Sequence, residues 1–130
     1  MAKLLFTTIL IISMAAVFVY SASIVGDFRK LDVNDEQLHQ SLSHLERQMD
    51  NRINSNTVHR IAKIRNAEYK VVSGIEYRAL FEFGETDCQK SDHRDIESCQ
   101  FTGYNLICNA TTIEQSWLHK SSLIDFFCEN

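Results

Sequence analysis

Proline is absent from all 130 residues, and glycine occurs only four times. Without proline nothing in the chain interrupts a β ladder, so long strands are free to form. With glycine so scarce, sharp reversals have few cheap sites, and Gly74 is the only one between Asp27 and Phe83. Basic residues are also in deficit, 13 against 17 acidic ones, a formal net charge of −4. That balance argues against a nucleic-acid partner, whose phosphates need a basic face. Long apolar runs are missing after residue 23, and there is no C-x-x-C pair. His39, His44, His59, His93 and His119 show no metal-ligand spacing, so they are read as solvated and no metal or cofactor is expected.

The one long apolar run is Leu4 to Tyr20, preceded by Lys3 and followed by Ser21, Ala22 and Ser23. Residues 1–23 therefore read as a signal peptide cleaved after Ser21 or Ser23, a retained signal anchor being the alternative. Cleavage leaves residues 24–130 as one domain of about 107 residues, enough for a single core. That product carries 12 basic and 17 acidic residues, has no further membrane-length segment, and is expected outside the cell. Cys88, Cys99, Cys108 and Cys128 all lie in the C-terminal third, which in an oxidising compartment reads as two disulfides. Three pairings are possible, and spacing alone does not choose among them. Bridged cysteines leave no plausible nucleophile and base, so no enzyme is expected.

Apolar periodicity gives one helix and then strands. Asn34 stands as an N-cap with Gln37 three residues on, as in a capping box, and Asp35 and Glu36 suit the first turn. Leu38, Leu42, Leu45, Met49 and Ile53 form one stripe over about five turns, and Asn54-Ser55-Asn56 ends it. Val58 to Tyr69 reads as a strand with imperfect alternation, consistent with a bulge. Ile75, Tyr77, Ala79, Phe81 and Phe83 then alternate cleanly with polar residues. Further strands are predicted from Tyr104 to Ile113 and from His119 to Phe127, with the arm before the helix as a possible edge strand. The fold class is α+β: an antiparallel sheet of four to five strands wrapped around one long helix, with two disulfides. Asn109-Ala110-Thr111 is an N-glycosylation sequon.

Three features are not explained by a core. Gly26 lies in the arm, Lys70-Val71-Val72-Ser73-Gly74 makes an oddly apolar hairpin tip, and Ser116-Trp117 occupies a second tip. In a meander the two tips and the arm can share one end of the sheet and form an apolar wedge. In this order, with four cysteines behind them, they resemble the type 2 (secreted) cystatins, a family of cysteine protease inhibitors. The resemblance covers Ile24 to Cys128. The family has glutamine where Lys70 stands and proline where Ser116 stands.

The resemblance implies pairing of Cys88 with Cys99 and of Cys108 with Cys128. It implies a monomeric, reversible, tight-binding inhibitor of papain-like cysteine proteases such as cathepsins, acting by occlusion. Ile24 and Val25 would enter substrate pockets, and Gly26 would turn the backbone away from the catalytic thiol. Val71, Val72, Ser73 and Gly74 would press on the cleft centre, with Trp117 packed on its far wall. Lys70 and Ser116 keep a second reading open, a secreted cystatin-fold binding or host-interaction module without protease inhibition. Ser55-Asn56-Thr57 is similar to the segment by which some cystatins inhibit legumain, Asn56 being the residue presented. The competing reading is an ordinary helix-terminating turn.

Overall fold

The computed structural model describes residues 27–129. The expected leader, together with Ile24, Val25 and Gly26, lies outside the described residues. Strand β1 (Arg29–Lys30) precedes helix α1 (Glu36–Arg52), and strands β2 (Thr57–Val72), β3 (Gly74–Gln89), β4 (Phe101–Gln115) and β5 (Lys120–Glu129) follow. All neighbours are antiparallel, and the sheet order is β1-β2-β3-β4-β5. Among the described residues no helix is long and apolar enough to cross a membrane.

The apolar stripe of α1 does what its spacing requires. Leu38, Leu42, Leu45 and Met49 are fully buried against one face of the sheet. Each contributes roughly 1.5–3 kcal/mol relative to an exposed side chain. The sheet receives the helix on a row of three alanines in register, Ala67 on β2, Ala79 on β3 and Ala110 on β4. All three are buried, and their small side chains leave room for the helix to lie close. Beyond that row Phe81, Phe83 and Phe126 pack edge-on and stacked, with ring centroids 5.8–6.5 Å apart.

The helix begins one residue later than its capping pattern suggests. Asp32 accepts a bond from the Asn34 amide through its carboxylate, and its carbonyl accepts from the Asp35 amide. This turn moves the N-cap to Asp35, whose carboxylate accepts from the Leu38 amide at 3.0 Å. Asn34 is therefore not the cap, and the expected box with Gln37 does not form. Ile53 closes the helix as C-cap in extended conformation.

The ragged alternation of β2 has a physical cause. Its pairing with β3 shifts register three times, between Thr57 and His59, Ile61 and Lys63, and Ile64 and Asn66. The last two each place an extra residue on β2, Ile61 and Lys63 spanning one step of β3 and Ile64 and Asn66 another, which turns the side-chain parity over and hides a period of two. The reading of the histidines is corrected at one position, in regular step with Ile61. His59 is buried, not solvated: its ring stacks on Phe83 at 5.7 Å, and its amide donates to Asp50 at 2.8 Å.

Both disulfides form, Cys88–Cys99 and Cys108–Cys128. The first pins the excursion between β3 and β4, where Cys88 and Cys99 pack with Val58 and Ile96. The second joins register partners on β4 and β5.

Candidate functional site

The β2–β3 hairpin reverses at Val72-Ser73-Gly74, and β4 passes into β5 through a single 3₁₀ turn at Ser116–Leu118. Register places the two reversals side by side, since Ile75 opposes Glu114 and Gln115 opposes Lys120. The Gln115 side-chain amide donates to the Ser73 carbonyl at 3.3 Å and ties one tip to the other. Antiparallel pairing of β1 with β2, Arg29 opposite Tyr69, brings the beginning of the described chain to this same end.

Gly74 is required twice over. Its φ is +113°, a region that side chains rarely tolerate. A Cβ added there would also lie 2.5 Å from the Glu114 carbonyl oxygen. The glycine thus lets the first tip lie directly against the strand that carries the second.

What the tips present is apolar. Val71 is 69% exposed, Val72 40%, Trp117 59% and Leu118 58%. Four large apolar residues gathered on one edge, none buried by the described residues, make a surface suited to a partner. Ser73, Gly74 and Ser116 form the backbone between them. Leu118 was not singled out by the sequence pattern, although its place beside Trp117 in a predicted tip was the available signal. His119 closes the second turn in left-handed conformation, φ +48°.

Behind the edge, between the tips and the first turns of α1, is a concavity of about 500 Å³ lined by Gln37, Gln40, His44, Val71, Tyr77 and Trp117 among others. Tyr77 is only 3% exposed. Burial, reinforced by the Asp35 and Glu114 carboxylates, pushes its phenol above the usual tyrosine range, so it stays neutral. Glu114 is held in turn by a hydrogen bond from the Ser121 hydroxyl.

Lys70 sits just below the first tip on the face of the sheet away from the helix. Its Nζ is 3.3 Å from Glu76 Oε2, its register partner on β3. The ammonium also lies 4.6 Å from the centre of the Phe28 ring. Lys70 therefore brings a counter-charge and an aromatic neighbour with it.

The other two sequence candidates lie away from this edge. Asn56 is exposed in the connection from α1 to β2, at the opposite end of the sheet. Its carbonyl accepts from the Lys90 amide at 2.8 Å, and the flanking Ser55 and Thr57 hydroxyls bond each other at 2.9 Å. Asn109 lies mid-strand on β4, half-buried, between Leu80 on β3 and Phe127 on β5. Its neighbours Cys108 and Ala110 point into the core, so it belongs to the outer face.

Comparison with known proteins agrees with this architecture. A family model for the cystatin domain matches residues 26–117. L-cystatin of Tachypleus tridentatus is 29% identical over 126 residues, covering 94% of this chain and 95% of that protein. Cystatin-C of Bos taurus is 27% identical over 112 residues, covering 82% of this chain and 75% of that protein. Among solved structures, dimeric human cystatin F superposes with a TM-score of 0.73 at 23% identity, covering 80% of this chain and 86% of that one, a likeness of fold.

Proposed function

Because the chain belongs to the cystatin family, whose members are protease inhibitors and not enzymes, we propose that it is a secreted type 2 member that reversibly and tightly inhibits papain-like cysteine proteases of the cathepsin class. The observation that carries this reading is the uncovered apolar edge of Val71, Val72, Trp117 and Leu118. In docking, that edge fills the protease cleft and excludes water from it. Val71 to Gly74 bear on the centre of the cleft, and Trp117 and Leu118 anchor one wall as a compact hot spot. Ile24, Val25 and Gly26 supply the third element, with Gly26 steering the chain past the catalytic thiol so that no peptide bond is presented for attack.

The inhibitor undergoes no chemistry. Affinity comes from displacing water with a wedge already shaped by the sheet, which limits the ordering cost of binding. An interface of standard size, about 1,200–2,000 Å², is sufficient for tight binding when the hot spot is well formed. Lys70 does not spoil the fit, since its ammonium already has Glu76 beside it and need not be left unpaired on docking.

The direct test is titration of active papain or a cathepsin with the oxidised protein beginning at Ile24, and with a shorter chain beginning at Asp27. Tight, reversible, stoichiometric inhibition is expected, weaker for the shorter chain. No inhibition at micromolar concentration overturns the reading and leaves a binding module without protease inhibition. Mass spectrometry of the secreted, processed protein tests three attached expectations: cleavage after Ser21 or Ser23, a glycan on Asn109, and an extracellular product. Its sedimentation tests the expected monomer.

A second reading concerns legumain and rests on Asn56. An exposed asparagine in a turn braced by Lys90, Ser55 and Thr57 is suited to entering an asparagine-specific pocket. Legumain inhibition abolished by Asn56→Lys, with papain inhibition retained, is the expected result. Inhibition unaffected by that change removes the assignment.

A further inference from the structure

Four charged residues on the outer face of the sheet occupy two successive register pairs, Lys70 opposite Glu76 and Glu68 opposite Arg78. Signs alternate around this square. Lys70 lies 3.3 Å from Glu76, and the Arg78 guanidinium 4.0 Å from Glu68. Ion pairs this exposed contribute little by themselves. What distinguishes them is Phe28, whose ring centre is 4.6 Å from the Lys70 ammonium and 3.9 Å from the Arg78 guanidinium carbon. Both cations are within the range at which the ring quadrupole attracts them.

Phe28 is the residue from which the chain enters β1. That strand has only two residues and two register partners, with one further backbone bond from the Leu31 amide to the Ala67 carbonyl. So short an edge strand is weakly held by its ladder alone. Leu31 packs on the core just after the strand, and Phe28 is the first side-chain anchor ahead of it among the described residues. Glu68 and Glu76 keep the two cations extended over the strands, where the ring can reach both.

We propose that Lys70 and Arg78 form a two-cation clamp on Phe28 that fixes the point from which the N-terminal arm leaves the sheet, at the end that carries the apolar tips. Lys70, standing where the family has glutamine, is then a positioning residue, and Arg78 is its partner on the next strand. Its consequence for inhibition rests on the protease-inhibitor reading above; the clamp itself does not.

Two measurements separate these. Amide hydrogen exchange of the free, oxidised protein reads the clamp directly, with β3 and β4 amides as the control for intact folding. In Lys70→Gln or Arg78→Gln, protection over residues 28–31 is expected to fall about two- to fivefold, and about tenfold in the double variant. Lys70→Arg keeps a cation over the ring and is expected to hold protection within about twofold. Exchange unchanged in the double variant overturns the clamp, whatever the protein does to a protease. Papain titration then reads its use. Arg78→Gln is expected to weaken inhibition about two- to fivefold in the chain beginning at Ile24 and to have no effect in the chain beginning at Asp27. Equal weakening in both chains refutes a role exerted through the arm. Absence of inhibition by the unmodified protein defeats the inhibitor reading and leaves the exchange result standing.

Discussion

The two ends of the sheet are built on opposite terms. At the disulfide end side chains bond to the backbone of neighbouring elements, some of them fully buried. Asp50 accepts the His59 amide, Thr86 donates to the Val58 carbonyl at 2.7 Å, and Arg60 donates to the Glu97 and Cys99 carbonyls while its guanidinium lies 5.5 Å from the centre of the Phe101 ring. At the tip end apolar groups are exposed, and a single side-chain bond, Gln115 to Ser73, links the two reversals. A buried polar network is costly if any member is lost, whereas an exposed valine or tryptophan contributes almost nothing to the folded monomer. On the inhibitor reading proposed above, stability and recognition are carried by separate parts of one sheet, so each can be altered with little effect on the other.

The strongest way to break that separation is at the disulfide end. Replacing Cys88 and Cys99 together by serine should cost about 2–5 kcal/mol of stability, read as a lower unfolding midpoint in denaturant. Inhibition per folded molecule should be unchanged; a large loss of affinity would show that the far end shapes the tips. Next comes Gly74→Ala, which places a Cβ against the Glu114 carbonyl and forces an unfavourable φ. Strain of about 1–3 kcal/mol is expected at the tip. Because the hairpin must move to relieve it, protease affinity should fall by at least about 30-fold, and retention of full affinity would deny the tip its role.

Trp117→Ala sharpens the comparison most cleanly. Affinity for papain should drop by roughly 2 kcal/mol, about 30-fold, while the unfolding free energy moves by less than about 0.5 kcal/mol. A stability loss as large as the affinity loss would mean that the tryptophan belongs to the core after all.

The smallest effect concerns Glu46, midway along α1, whose carboxylate lies 3.6 Å from Arg60 Nε. Burial pushes its carboxyl above the usual range by more than Arg60 draws it down. A folded-state pKa raised above the unfolded one gives stability that is present at acid pH and lost as pH rises through the folded value. Glu46→Gln should therefore gain on the unmodified protein in unfolding free energy as pH rises above the ordinary glutamate value of 4.5. A gap that stays flat or reverses would show that the pairing with Arg60 outweighs burial.

Much of this architecture was legible in the chain. The helical stripe and the alternation from Ile75 to Phe83 are periodic signals that one buried face imposes on sequence, and both carried through. The wedge residues Val71, Val72 and Trp117 stood out because apolar side chains at hairpin tips lack a local reason. What stayed hidden depends on partners distant in sequence. His59 is in regular step with Ile61 and so shares its face with Phe83, but the bulges beyond Ile61 break the alternation that would have announced it. Lys70 reads as an awkward charge until Glu76 and Phe28 are seen beside it. Asn34 and Asp35 are both good caps, and the choice between them was made by Asp32, which engages the Asn34 amide.

One contact has a kinetic meaning. Lys90 Nζ donates to the carbonyls of Asp50 and Ile53, satisfying the end of α1 from 40 and 37 positions further along the chain. A helix capped from so far away cannot be complete until the second long strand has formed and turned back over it. The last turn of α1 and the end of β3 should thus open and close as one cooperative unit. Lys90→Met, which keeps the stem and removes the charge, should release the amides of both segments together in native-state exchange.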